Sequence, residues 1–325
     1  MADKLILVKS SRGAGLGDSL RVVLAAIAYS QISGRGIAVD WSDGSLGPEG
    51  VNVFPSFFQL HTGLVCPDLP SIFLETASVH PPIWQHRLHE PVHRLYLEQG
   101  WTHFERERTK ALFSADLTQP FYSQDVIVLT DFTGLPQHLI PEVLPHPLRQ
   151  CLLPAASVAV EVNNFVEQHF TKRTIGVHLR ETQESGARLK ARSDESVWKA
   201  LQPLLDRWPG ARVFLATDNQ ATQERFGAVL PDMIVQEKAM PPAGMPMHLT
   251  DYGPSLAEKT NIAVVDILLL ARCDALIYPS NSSFSIIASL LSCAPSEHLF
   301  ALPPDLPPLA VRLLKRVRSA LGAVP

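Results

Sequence analysis

Three stretches in the second half of the chain end in residues suited to holding a phosphorylated ligand. They read Thr174-Ile-Gly-Val-His-Leu-Arg180, Phe214-Leu-Ala-Thr-Asp-Asn219 and Leu270-Ala-Arg-Cys-Asp-Ala-Leu-Ile-Tyr-Pro-Ser-Asn-Ser-Ser-Phe-Ser285. Arg180 offers a planar, permanently charged fork of donors to phosphate oxygens. His178 lies one strand period earlier, so both side chains leave a strand on the same side. Asp218 can accept hydrogen bonds from guanine N–H groups or from ribose hydroxyls. Ser282, Ser283, Phe284 and Ser285 open a helical pattern, and the N–H groups of a helix N-terminus with nearby hydroxyls attract an anion without any cation. Plain structural roles are open to the same residues. Arg180 can ion-pair with Glu181 or Asp218, Asp218 or Asn219 can cap the next helix, and the serines can form an ordinary N-cap. The serine-rich stretch carries more hydroxyl and amide side chains than one cap needs.

The elements that must position these residues alternate. Apolar strand patterns at 175–179, 212–216 and 275–278 are interleaved with helical patterns at 157–170, 197–207, 220–229, 261–271 and 286–292. Such alternation predicts a parallel sheet with strands buried on both faces. In open parallel sheets ligands sit outside the carboxyl ends of the strands, so the polar strand tips are expected to converge on one crevice. Asp266 stands inside the apolar helix at 261–271, where a charge is costly unless it is paired or at a cleft edge.

The first half opens with a strand at 5–8, then Gly13, Gly15 and Gly17, a helix at about 19–33 ended by Gly34-Arg-Gly36, and a strand at 36–40. Gly15 and Gly17 let the backbone approach a ligand closely. A dinucleotide fingerprint wants glycine where Asp18 stands, and a carboxylate there repels a pyrophosphate. Asp18 therefore reads as capping or aligning the helix, or as facing a neutral hydroxyl, although Asp40 occupies the place of a ribose-binding acid in an NAD enzyme. Residues 52–58 form an aromatic cluster, and 124–131 holds another strand. Trp84, His86, His89, His93, Trp101 and His103 read as partly exposed surface, with a carbohydrate-stacking face as the other reading. Their spacings match no zinc pattern.

With 325 residues the chain exceeds the size at which single cores tend to split. Two domains are expected, 1–150 and 151–325, joined through the proline-dense residues 141–154. Hydrophobic content of 46%, charged content of 18% and a net charge of −4 suit a globular enzyme and argue against a broad nucleic-acid footprint. Cys66, Cys151, Cys273 and Cys293 include no CxxC pair, which speaks against a zinc ribbon. Cys273 and Cys293 read as small hydrophobes. Neither a signal-peptide pattern nor a membrane-length apolar run is present, so a cytoplasmic location is expected.

As an ordered set, Gly-Val-His-Leu-Arg180, Phe-Leu-Ala-Thr-Asp218 and Leu-Leu-Ala-Arg-Cys273 with Ser-Ser-Phe-Ser285 resembles the fucosyltransferase superfamily that includes α1,6- and protein O-fucosyltransferases. Gly15-Leu-Gly-Asp-Ser-Leu20, Ser33-Gly-Arg-Gly-Ile-Ala-Val-Asp-Trp41 and Asn52-Val-Phe-Pro-Ser-Phe-Phe58 look like the nodulation-factor (chitooligosaccharide) α1,6-fucosyltransferases. The likeness runs in pieces over residues 9–291. It implies an α/β fold of the GT-B type, two Rossmann-like domains facing a cleft, with the donor in the C-terminal domain and the acceptor side in the first. It further implies an inverting, metal-independent transfer from GDP-fucose to a carbohydrate or glycoconjugate hydroxyl. By position His178 would meet the nucleotide, Arg180 the pyrophosphate, Asp218 the guanine and residues 283–285 the phosphate, while Asp266 matches the family's aspartate in the preceding helix. Arg180 and Asp18 are the candidate catalytic residues.

One departure is Glu181, where many members of the superfamily carry a second basic residue; the pattern at 182–192 also differs. Another nucleotide-sugar donor, a non-catalytic GDP- or carbohydrate-binding protein and an NAD-dependent oxidoreductase are the alternatives.

Overall fold

The computed structural model describes residues 4–10, 14–61, 76–100, 112–119, 121–131, 147–180, 194–243, 245, 247 and 250–303. The first half contributes strands β1 (Leu5–Lys9), β2 (Gly36–Asp40), β3 (Phe58–Leu60), β4 (Val79–His80) and β5 (Val126–Leu129). Its helices are α1 (Leu16–Ser33), α2 (Phe54–Phe57) and α3 (Val92–Glu98). The second half runs α4 (Leu148–Cys151), β6 (Leu152–Pro154), α5 (Ala156–His169), β7 (Thr174–Leu179), α6 (Asp194–Arg207) and β8 (Arg212–Thr217). It continues through α7 (Gln220–Gly227), α8 (Leu256–Ala271), β9 (Ala275–Pro279), α9 (Ser283–Leu291) and β10 (Leu299–Leu302).

Two parallel sheets result. The first has the order β2-β1-β5-β4 and the second β10-β9-β7-β8. Their central strands are buried along their length, which is why they read as unbroken apolar runs. Short β3 and β6 pair antiparallel and tie residues just past 150 back to the first half.

A single buried cluster runs from Ile6 and Val8 through α1 to Leu269, Ile287 and Leu291, so the inner faces of both sheets share one core. The contact at its centre is α1 against α9. Gly17 makes that approach possible. A Cβ there would lie 2.5 Å from the backbone nitrogen of Phe284 and 2.7 Å from the carbonyl carbon of Ser283. Gly17 thus admits a neighbouring helix rather than only a ligand.

Helix α1 begins at Leu16 rather than near Ser19, with Gly15 at the N-cap and no side-chain cap bond, so Asp18 does not cap it. Helix α8 begins five residues before the expected 261. Ser255 and Glu258 form a reciprocal capping box there, the Glu258 carboxylate accepting from Ser255 N at 2.7 Å.

The histidines at 86 and 89 are exposed, as expected, but Trp84 is fully buried and its indole N–H donates to the Phe113 carbonyl at 2.9 Å. It cannot offer a sugar a stacking face. Trp101 and His103 lie outside the described residues. Phe54 stacks on Phe58 with centroids 6.0 Å apart, which bears out the aromatic cluster, and Trp41 packs edge-on to Phe54 at 5.0 Å. Cys273 is buried, whereas Cys293 is exposed, contrary to its expected burial.

Candidate functional site

The carboxyl ends of β7 and β8, the N-terminus of α9 that follows β9, and the N-terminus of α1 border one cavity. Gly15, Gly17 and Asp18 reach it from the first half, and His178, Arg180, Asp218, Asp266, Ser283 and Phe284 from the second. The separated polar strand tips therefore do meet.

His178 and Arg180 emerge from the end of β7. His178 is buried, its Nδ1 hydrogen-bonded to Ser285 Oγ at 2.5 Å and its ring stacked on Phe284 with centroids 4.8 Å apart. Ser285, fully buried, orients His178 rather than lining the cavity. Ser282 takes the N-cap position of α9, yet its side chain makes no cap bond, and its oxygen is enclosed without a hydrogen-bond partner. Ser282 does not line the cavity either. Ser283 and Phe284 do, and they present the N-terminus of α9 to it.

Arg180 Nε stands 3.9 Å from Asp218 Oδ2. The ion-pair and ligand roles foreseen for Arg180 thus fall on side chains of the same cavity, and Asp218 can steady the guanidinium. Asn219 caps α7 by accepting from Thr222 N at 3.0 Å. The two neighbouring polar residues divide the work: Asn219 serves the helix and Asp218 the cavity.

Asp266 is 4% exposed and is paired with Lys238. With the Gln236 amide turned to satisfy both its ends, its nitrogen donates to Asp266 Oδ1 at 2.9 Å. Burial raises the Asp266 carboxyl above its ordinary range, and the Lys238 ammonium pulls it back. Asp18 lies in the first turn of α1, 3.8 Å from Arg21, at a helix end that favours a carboxylate. Asp40 is engaged by Lys9 and accepts from Ser42 N at 3.0 Å, so it is committed within the fold, contrary to a ribose-binding role. Among the described residues no trio of His, Cys, Asp or Glu side chains gathers as a metal site.

Sequence reasoning missed Lys238, Lys259, Thr260 and Met247, which complete the wall. Lys259 and Ala263 fall on one helical face with Asp266, a spacing that could have found them once α8 was started at its capping box. Nothing local marks Lys238, whose partner is 28 residues away.

A family model described as nodulation protein Z (NodZ) matches residues 4–302. Nodulation protein Z of Azorhizobium caulinodans is 27% identical over 315 residues, covering 87% of this chain and 88% of that protein. A crystal structure of NodZ alpha-1,6-fucosyltransferase soaked with GDP-fucose is similar with a TM-score of 0.59 at 22% identity, covering 89% of this chain and 93% of that one. A structure of POFUT1 in complex with GDP reaches a TM-score of 0.54 at 12% identity, covering 94% and 99%. These likenesses establish the fold as GT-B, two Rossmann-like lobes facing a cleft.

Proposed function

The chain belongs to the nodulation protein Z (NodZ) family, and from that premise we infer that it is a glycosyltransferase moving fucose from GDP-fucose to a hydroxyl of a carbohydrate or glycoconjugate. The observation that carries the reading is the single cavity in which Arg180, Asp218, His178 and the N-terminus of α9 face Gly15–Asp18 of the other half. We assign the donor to residues 151–325 and the acceptor side to residues 1–150.

In this assignment Arg180 and the first N–H groups of α9 hold the diphosphate, and His178 borders the nucleotide, fixed by Ser285 and Phe284. Asp218 accepts from the guanine N–H groups. Asp266, held by Lys238, completes the nucleotide wall. The acceptor oxygen forms a bond to the fucose anomeric carbon as the bond to the β-phosphate oxygen breaks, with inversion at that carbon. Negative charge grows on the leaving GDP, and Arg180 and the helix N-terminus are set to stabilise it before it forms. The acceptor proton leaves late, to the departing GDP phosphate or to water, and Asp18, at the acceptor side of the cavity, orients that hydroxyl. The chemistry proposed needs no metal. The three described cysteines are unbonded, which fits a reducing, cytoplasmic setting.

The test is incubation with GDP-fucose and a panel of carbohydrate acceptors, followed by product mass. A mass gain of one deoxyhexose with release of GDP is expected. GDP binding without transfer to any acceptor would instead support a non-catalytic binding protein.

A further inference from the structure

Three basic side chains, Arg180, Lys238 and Lys259, line the cavity among the described residues. Lys238 is neutralised by Asp266, and Arg180 faces Asp218 at 3.9 Å. Lys259 differs. It is 9% exposed, donates to the Thr250 carbonyl at 2.7 Å and lies 4.8 Å from the centre of the Tyr252 ring. No carboxylate of the described residues lies within ion-pair distance of it. An ammonium carries three donors, so most of its hydrogen-bonding capacity is uncommitted in a place largely closed to water. It also follows Glu258 at the start of α8, the positive helix end, which disfavours a cation. A buried cation set against the helix dipole at a cavity wall is balanced when a ligand supplies the acceptor.

The sheet order indicates which part of the ligand that is. Ser283 and Phe284 follow β9, Arg180 ends β7, and Asp218 follows β8, in the spatial order β9-β7-β8. The anion-holding groups occupy the β9–β7 side. Lys259, Ala263 and Asp266 form one stripe of α8, and Asp266 in that stripe is bound by Lys238. Lys238 continues the segment in which Ile234 bridges Phe214 of β8. Through Lys238 the stripe is tied to the segment beside β8, which places it on the Asp218 side of the cavity.

We propose that Lys259 is a specificity-determining residue that donates to the O6 and N7 acceptors of the donor's guanine. Guanine presents two N–H donors at N1 and N2 and two acceptors at O6 and N7. Asp218 matches the first pair and Lys259 the second. Adenine places an amino donor where guanine has O6 and would meet the ammonium with the wrong polarity. This assignment rests on the GDP-sugar reading of the site.

The test measures dissociation constants of GDP, ADP, inorganic pyrophosphate and 2-aminopurine riboside diphosphate, which lacks O6 and the N1 proton but keeps N7 and the N2 amine, for wild type and Lys259→Met by calorimetry. Lys259→Gln, which keeps a neutral donor, provides a second variant, and melting curves verify folding. The wild type is expected to prefer GDP. Lys259→Met should weaken GDP by about 10- to 100-fold and should weaken ADP and the O6-less analogue, which keep N7 alone of the two acceptors, clearly less, with Lys259→Gln between. A uniform loss across GDP, ADP and pyrophosphate would overturn the assignment in favour of a phosphate-binding lysine, and unchanged GDP affinity would overturn it outright. A wild type that binds no nucleoside diphosphate would overturn the donor reading itself. The O6-less analogue tests the same contact on unmodified protein: wild-type affinity equal to that for GDP would contradict it.

Discussion

In the proposed transfer the chemistry turns on Arg180, which lines the same cavity as Ser283 and Phe284 at the N-terminus of α9. Arg180→Ala should slow transfer by about 10²–10³-fold, as loss of a preorganised charge stabiliser does, in a steady-state assay with GDP-fucose. Lys238 has a different kind of importance. Lys238→Met strands the buried Asp266 carboxylate and should destabilise the fold by about 3–5 kcal/mol, measured by denaturant unfolding. Burial already raises the Asp266 pKa, so the folded chain keeps that proton over a pH range in which the unfolded chain, at about 3.9, has lost it. Stability from this group is present at low pH and fades as pH rises through the raised value. Without Lys238 the effect grows, so the variant's deficit should shrink in mildly acidic buffer. His178, Arg180 and Asp218 were legible because a polar residue closing an apolar strand run points to a sheet's carboxyl edge. Lys238 was not, since its meaning depends on a partner brought close only by the fold.

Helices α1 and α9 meet at their N-terminal ends, where Gly17 sits against the backbone of Ser283 and Phe284. Gly17→Ala must push the two apart. Overpacking of this kind costs about 1–3 kcal/mol, and the shift should also weaken GDP binding because Ser283 and Phe284 move with α9. Thermal melting and GDP titration of the variant would check both. Retention of wild-type melting and affinity would mean the helices yield freely. The capping box of α8 allows a gentler perturbation. Ser255→Ala should lower stability by about 0.5–2 kcal/mol, seen as a shifted denaturant midpoint. Most helices and central strands could be read from apolar period and glycine stops. The start of α8 was misplaced because the hydrophobic run begins later than the Ser255–Glu258 box that nucleates it. The edge strands β3, β4, β6 and β10 escaped notice because they are too short to show a period of their own.

The whole molecule is two parallel sheets whose carboxyl edges share one cavity and whose inner faces share one core. Alternating strands and helices made the sheets foreseeable, whereas the shared core was not, because α1 and α9 lie far apart in sequence. A metal-independent transfer predicts that exhaustive chelation leaves the rate of fucose transfer unchanged, and loss of rate restored by a divalent cation would refute it. The central claim is that groups from three strand ends hold one diphosphate between the lobes. Calorimetric titration of GDP-fucose into the wild type and Arg180→Ala tests it most directly. One-to-one binding by the wild type, severely weakened in the variant, is predicted. Absence of binding, or equal affinity in a correctly folded variant, would contradict it.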